Sequence, residues 1–238
     1  MKKKLRKNNI KVVILAGGLG SRLSEYTNTI PKPMVKINKI PILARIIKYY
    51  AKNGFKNFII ASGYKSKIIE NFFKKKLLNL NIQVINTGKN SMTGGRIKKL
   101  KKYLNKERFM LTYGDGLSNV NLNKLLKFHI KNKNFVTLTA VRPPARFGGI
   151  KITRKKVKYF KEKSSLDEGW INGGFFVMEP KFLKYIKGNK TVLERSPLEK
   201  VCRINKLGAF KHNGLWQCMD TIRDKQILED LVKKNLLT

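Results

Sequence analysis

Cysteine is almost absent from this 238-residue sequence. Cys202 and Cys218 cannot build a disulfide framework, and they lack the C-x-x-C spacing of a zinc or redox pair. Two reduced thiols in a cytoplasmic protein are expected. Proline and glycine, 7 and 18 residues, are too few for a collagen-like or low-complexity chain. Long apolar runs are missing too. Residues 12–16 follow the basic MKKKLRKNN, but they are shorter than the roughly 7–15 residues of a leader's apolar core. Nothing approaches the roughly 20 residues that cross a bilayer, so no membrane association is expected. Acid is scarce: 14 Asp and Glu face 53 Lys and Arg, for a net charge of +39. The 42% of apolar residues still suffices for a sizeable core, which excludes disorder along the whole chain.

A charge of +39 invites a nucleic-acid reading, because Lys and Arg release counterions from phosphates. Its distribution argues otherwise. Lysines are spread along nearly the whole chain at solvated positions, and Lys far outnumbers Arg, the fork that base readout prefers. A general attraction for small anionic substrates follows without further assumption.

What is present is an alternation of strand and helix signals. KVVILA (11–16), NFIIAS (57–62), IQVIN (82–86), FMLTY (109–113) and VTLTAV (136–141) read as buried strands. Helices are expected at 41–53, 66–76, 96–104 and 121–131 between them. The second half reads as richer in strand, at 149–153, 156–161 and 170–178, with helices near 181–187, 197–205 and 221–235. His212 is placed on a strand. This predicts an α/β fold: three αβα layers around a mostly parallel, Rossmann-like mixed sheet, with a β-rich substrate portion. Residues 1–9 read as a flexible basic tail and 10–238 as one domain.

The first strand runs into Gly17-Gly18-Leu19-Gly20-Ser21-Arg22. Glycines let a backbone approach phosphate, successive N–H groups make an anion nest, and Arg22 adds a bidentate cation. Neither a Walker A loop nor the dinucleotide fingerprint is present. Ten residues on, Pro31-Lys32-Pro33 holds a lysine between two rigid residues. Asp115 follows an apolar strand between glycines, and Asp220 precedes the last helix. Carboxylates at strand ends suit Mg²⁺, although Asp115 also reads as a turn residue and Asp220 as an N-cap.

LAGGLGSRL followed by PKPMV resembles the opening of the sugar-1-phosphate nucleotidyltransferases. Within that family, SMTGGR (91–96), TYGDG (112–116), RFGG (146–149), INGGFFV (171–177) and WQCMDT (216–221) are similar to the glucose-1-phosphate cytidylyltransferases. The resemblance covers about residues 10–235 and implies the nucleotide-diphospho-sugar transferase type of fold. It implies Mg²⁺-dependent transfer of a cytidylyl group from CTP to glucose 1-phosphate, for surface-polysaccharide or deoxysugar synthesis. Leu15, Ala16, Gly17, Gly18, Leu19, Gly20 and Ser21 would cradle the nucleotide. Arg22 would hold the β- and γ-phosphates, Lys32 the α-phosphate and the nucleophile, and Asp115 and Asp220 the metal. Arg22, Lys32 and Asp115 are the catalytic set.

Ser91, Gly94, Arg96 and Gly114 match nucleotide-contacting positions; otherwise Ser91 reads as a helix-start residue and Arg96 as a solvated cation. Arg146, Gly148, Glu162, Lys163, Asn172 and Gly173 match the hexose-phosphate side. The family's homo-oligomers imply one here. Two departures stand: Ser164 replaces a usual proline, and the segment between Phe73 and Thr87 is shorter than in the cytidylyltransferases. They keep dTTP, UTP or another sugar phosphate as alternatives. A noncatalytic nucleotide-sugar or nucleic-acid-binding protein is the alternative from another class. His129 and His212 lack ligand partners nearby in sequence and read as structural. Trp170 and Trp216 read as core or pocket wall.

Overall fold

The computed structural model describes residues 7–74, 79–144, 149–161 and 169–237. Seven strands form its central sheet: β1 (Lys11–Ala16), β2 (Asn57–Ser62), β3 (Asn81–Asn86), β4 (Phe109–Tyr113), β5 (Val136–Val141), β6 (Ile171–Met178) and β7 (Leu207–His212). They lie in the order β7-β5-β6-β4-β1-β2-β3. Parallel pairs join β1 to β2 and β4, β2 to β3, and β5 to β7, while β6 runs antiparallel between β4 and β5.

Side-chain alternation builds the three layers. On β1, Val12, Ile14 and Ala16 enter one core, which helices Ile42–Lys52, Ser66–Phe73, Leu122–Asn132 and Ile222–Lys233 cover. Val13 and Leu15 enter the other, under helices Thr93–Lys99 and Ser196–Arg203. Burying each aliphatic side chain is worth about 1.5–3 kcal/mol, so a strand covered on both faces shows an unbroken apolar run. Among the described residues, no helix is long and apolar enough to cross a membrane.

Two short antiparallel strands outside the main sheet matter most for the site. Gly116–Ser118 pairs with Trp216–Cys218, with Gly116 opposite Cys218. The Met219 N–H then donates to the Asp115 carbonyl at 2.8 Å. This ribbon brings Asp115 and Asp220 together from positions about a hundred residues apart.

Elsewhere the structure departs from the sequence pattern. The strand expected at 170–178 is built into the middle of the main sheet rather than set apart; the other two expected second-half strands, Gly149–Thr153 and Lys156–Lys161, pair as a separate hairpin. The helix expected at 181–187 is a 3₁₀ turn, Pro180–Tyr185. Lys7–Asn9, in the expected tail, form a 3₁₀ turn. The helix expected from 96 begins at Thr93, through two glycines. They are needed because a Cβ at Gly95 would lie 2.0 Å from the Asn189 carbonyl oxygen. Close backbone approach there overrides glycine's poor helix propensity.

Candidate active site

A cleft of about 560 Å³ opens at the carboxyl ends of β1 and β4, the place where α/β sheets bind ligands. Its wall includes Leu15, Ala16, Gly17, Gly18, Gly20, Ser21, Arg22, Lys32, Ser91, Arg96, Gly114 and Asp115. Leu19 and Gly94 are not in that wall. The Leu19 side chain is half-exposed, and Gly94 lies against the Thr191 backbone, where a Cβ would come within 2.8 Å of the carbonyl oxygen. Gly20 adopts φ +70°, which favours glycine, and an added Cβ would meet Thr27 and Lys32 at 2.8 and 3.0 Å. Close contact with the lysine turn accounts for that glycine.

Lys32 opens a 3₁₀ turn, Lys32–Met34, behind Pro31 at φ −69°. The Met34 N–H bonds the Pro31 carbonyl at 2.7 Å, and the lysine side chain is only 11% exposed. Its ammonium donates to Asp115 Oδ2 and to Asp220 Oδ1, each at 2.7 Å. Arg22 Nη1 donates to Asp220 Oδ2 at 2.8 Å. Cation and carboxylate therefore alternate along one line: Arg22, Asp220, Lys32, Asp115.

Burial disfavours the charge of Lys32, but Asp115 and then Asp220 outweigh it and raise its pKa above the usual lysine value. Burial likewise opposes the charge of Asp220, yet its hydrogen bond to Lys32 and the Lys32 and Arg22 charges hold its carboxyl below the usual range. The Cys218 thiol, 3.7 Å from Asp220 Oδ2, is pushed up to about 12 by burial and then by the carboxylates of Asp220 and Asp115. Thr221, not Asp220, caps the final helix, in a box with Asp224. The N-cap alternative for Asp220 therefore fails, and its carboxylate is held by Lys32 and Arg22 instead.

The donor chemistry fits a hard divalent ion. Two carboxylates converge on one cation position, and Mg²⁺ usually takes one or two carboxylates and completes its shell with phosphates and water. Among the described residues, no cluster of three or more His, Cys, Asp or Glu forms a closed metal site.

Arg96 is not the solvated cation that its place on a basic helix allowed. It is buried, and its Nη1 donates to the Ser62 carbonyl at 3.2 Å, Thr87 Oγ1 at 2.7 Å and the Gly88 carbonyl at 2.8 Å. Nη2 donates to the Gly17 carbonyl at 2.7 Å. One guanidinium thus ties the glycine loop to the ends of β2 and β3. Ser91 Oγ donates to the Thr87 carbonyl on the same side.

Sequence reasoning missed Met92, Thr93, Tyr113 and Glu194 in the wall. Glu194 accepts from Thr93 Oγ1 at 2.7 Å and from the Tyr113 hydroxyl, which in turn accepts from Asn172 Nδ2 at 3.1 Å. Burial and then Glu194 raise the Tyr113 pKa. Asn172 therefore meets the cleft wall through Tyr113, and the Gly173 carbonyl accepts from Trp216 Nε1 at 2.7 Å. Arg146, Gly148, Glu162 and Lys163 lie outside the described residues.

The two histidines are hydrogen-bonded away from the cleft. His129 sits between Thr137 and Glu179, and His212 lies against Ser118 and the Leu215 carbonyl. Trp170 carries Arg142 and Lys211 over its ring.

The family model described as Nucleotidyl transferase matches residues 11–216. The chain is 41% identical to a glucose-1-phosphate cytidylyltransferase from Salmonella typhimurium, covering 94% of this chain and 96% of that protein. It is 38% identical to a probable glucose-1-phosphate cytidylyltransferase from Bacillus subtilis, covering 90% and 93%. Among solved structures, HddC from Yersinia pseudotuberculosis matches with a TM-score of 0.75 at 26% identity, covering 94% of this chain and 99% of that one.

Proposed function

The chain belongs to the nucleotidyl transferase family, and on that premise we propose that it transfers the cytidylyl group of CTP to glucose 1-phosphate, yielding CDP-glucose and pyrophosphate. The supporting observation is the lysine held by two carboxylates at the mouth of a glycine loop, in a chain so similar to cytidylyltransferases over nearly its whole length.

An anionic phosphate oxygen of the sugar phosphate attacks the α-phosphorus of CTP. The bond from that phosphorus to the β-bridging oxygen breaks, and pyrophosphate leaves with the electron pair. A phosphate nucleophile is already ionised at pH 7, so no general base is required. Catalysis is then positioning and charge stabilisation. Backbone N–H groups of Gly17 to Ser21 receive the phosphates, Arg22 holds the β- and γ-phosphoryl groups, and Lys32 swings to the α-phosphate and the incoming oxygen. Asp115 and Asp220 would hold Mg²⁺, which when bound neutralises triphosphate charge. Ser91, Arg96 and Gly114 line the nucleotide side.

The hexose phosphate is assigned to Asn172, Gly173, Arg146, Gly148, Glu162 and Lys163. Residues 10–238 act as one domain, in the cytoplasm, as a homo-oligomer, without a nucleic-acid partner. CDP-glucose would feed deoxysugar or surface-polysaccharide synthesis.

A pyrophosphate-release assay across CTP, dTTP, UTP, GTP and ATP, paired with several hexose 1-phosphates and run with and without Mg²⁺, tests this. CTP with glucose 1-phosphate and Mg²⁺ should be the fastest combination. Release with dTTP or UTP alone removes the cytidine assignment. No release with any pair removes the enzyme.

A further inference from the structure

The line of charges at the cleft raises a question of order. Asp115 and Asp220 are the residues suited to a divalent ion, yet the oxygens they turn toward each other are both bonded to Lys32 at 2.7 Å. The second oxygen of Asp220 is bonded to Arg22. Two carboxylates and two cations balance, so the pocket for the metal is electrically satisfied before any metal arrives. A dication added to this group in a chain of net charge +39 would meet repulsion rather than attraction.

The backbones on both sides are held. The ribbon of Gly116–Ser118 with Trp216–Cys218 fixes the carboxylates, and the proline-framed 3₁₀ turn, packed on Gly20, fixes the lysine backbone. With both backbones held, rotation of the long Lys32 side chain clears the site. The group able to draw that side chain away is a polyphosphate seated on the glycine loop, since it offers the ammonium another anion and brings negative charge in excess of what the dication adds.

We infer that in the free enzyme Lys32 stands in for the divalent ion between Asp115 and Asp220, so that the nucleotide must bind before the metal site exists. This rests on the reading of the cleft as a metal–nucleoside triphosphate site. It adds an order to that reading: the triphosphate loads without metal, the lysine moves onto it, and the freed carboxylate oxygens then take the ion.

Electron paramagnetic resonance of Mn²⁺ titrated with the full-length, nucleotide-free protein tests the inference without recourse to activity. Wild-type protein should show no saturable Mn²⁺ site. Lys32→Met should gain one saturable site, tighter than any residual wild-type binding by about tenfold or more, the fold-change expected when the two charge-assisted hydrogen bonds of Lys32 no longer compete. Adding Asp115→Asn to Lys32→Met should abolish the gain. Lys36→Met, at an exposed neighbour of equal charge, should behave as wild type. Lys32→Gln, checked for folding by circular dichroism, serves where the methionine variant does not fold.

Calorimetry of wild-type protein with CTP in EDTA should show binding. A wild-type Mn²⁺ site as tight as that of the Lys32 variants, or no gain in either variant, overturns the inference and leaves the proposed reaction standing. Absence of CTP binding both with and without Mg²⁺ overturns the two together.

Discussion

Strand β4 carries a cluster of charges at each end, and the two clusters are chemically alike. At its amino end, Arg108 and His129 converge on Glu179, with Arg108 Nη2 at 2.9 Å and His129 Nε2 at 3.2 Å from Oε1. His129 is fully buried and bonds Thr137 Oγ1 through Nδ1 at 2.8 Å. At the carboxyl end, Lys32 and Arg22 converge on Asp220 and Asp115. Glu179 in the first cluster and Asp220 in the second are held below the ordinary carboxylate range against the opposing effect of burial. The difference is position. The first closes the base of the sheet, and none of its residues lies in the wall of the cleft; the second stands beside the glycine loop that lines it. Chemistry of this kind becomes function only where a ligand can reach it.

The comparison can be broken most sharply at Lys32. Lys32→Ala should lower kcat by about 10²–10³ with the fold retained, by analogy with loss of one preorganised donor elsewhere; Arg108→Ala should leave kcat within about twofold. Steady-state pyrophosphate release compares them directly. Glu179→Gln should act in the opposite sense. It leaves buried donors without their charged partner and should reduce unfolding free energy by about 1–3 kcal/mol in urea titration, with kcat unchanged.

Acidification should strain both ends alike. The folded carboxyls of Asp220 and Glu179 lie below their unfolded values, so their stabilisation is complete above the unfolded pKa and is lost as pH falls through the folded one. Unfolding midpoints measured below about pH 4 should fall with pH, and less steeply in Glu179→Gln. The smallest effect concerns thiols. With a pKa near 12, Cys218 should resist a thiol reagent at pH 8 while the exposed Cys202 reacts, giving one accessible thiol per native chain and two after unfolding.

Local patterns made much of this molecule legible. KVVILA, NFIIAS and FMLTY are strands because burial on both faces leaves no polar alternation to confuse the reading. The glycine run and the proline-framed lysine carry their conformational restrictions in the residues themselves. Asp115 stood out as an acid in a long acid-free stretch. What could not be read depends on distance along the chain. Nothing near Asp220 announces that a three-residue ribbon sets it against Asp115. The half-exposed LGAFKH, where His212 is expected on a strand, has no apolar run to give its bounds or its place in the sheet, and its edge position explains why. Apart from its match to a nucleotide-contacting position, Arg96 reads as one more cation on a basic helix, and its carbonyl partners come from residues 7 to 79 positions away.

That guanidinium leaves a further mark. An added Cβ on Gly17 would lie 2.1 Å from Arg96 Nη1, and one on Gly63 would lie 2.4 Å from the same atom. Neither glycine can take up even a methyl group while the arginine stays in place. Positions 17, 63 and 96 are thus a single steric unit. Alanine at Gly17 should be tolerated only together with a shorter side chain at 96, which a double-mutant cycle would register as strong coupling, whereas alanine at Gly63 would still meet the Gly17 and Gly88 carbonyl oxygens at 2.8 Å.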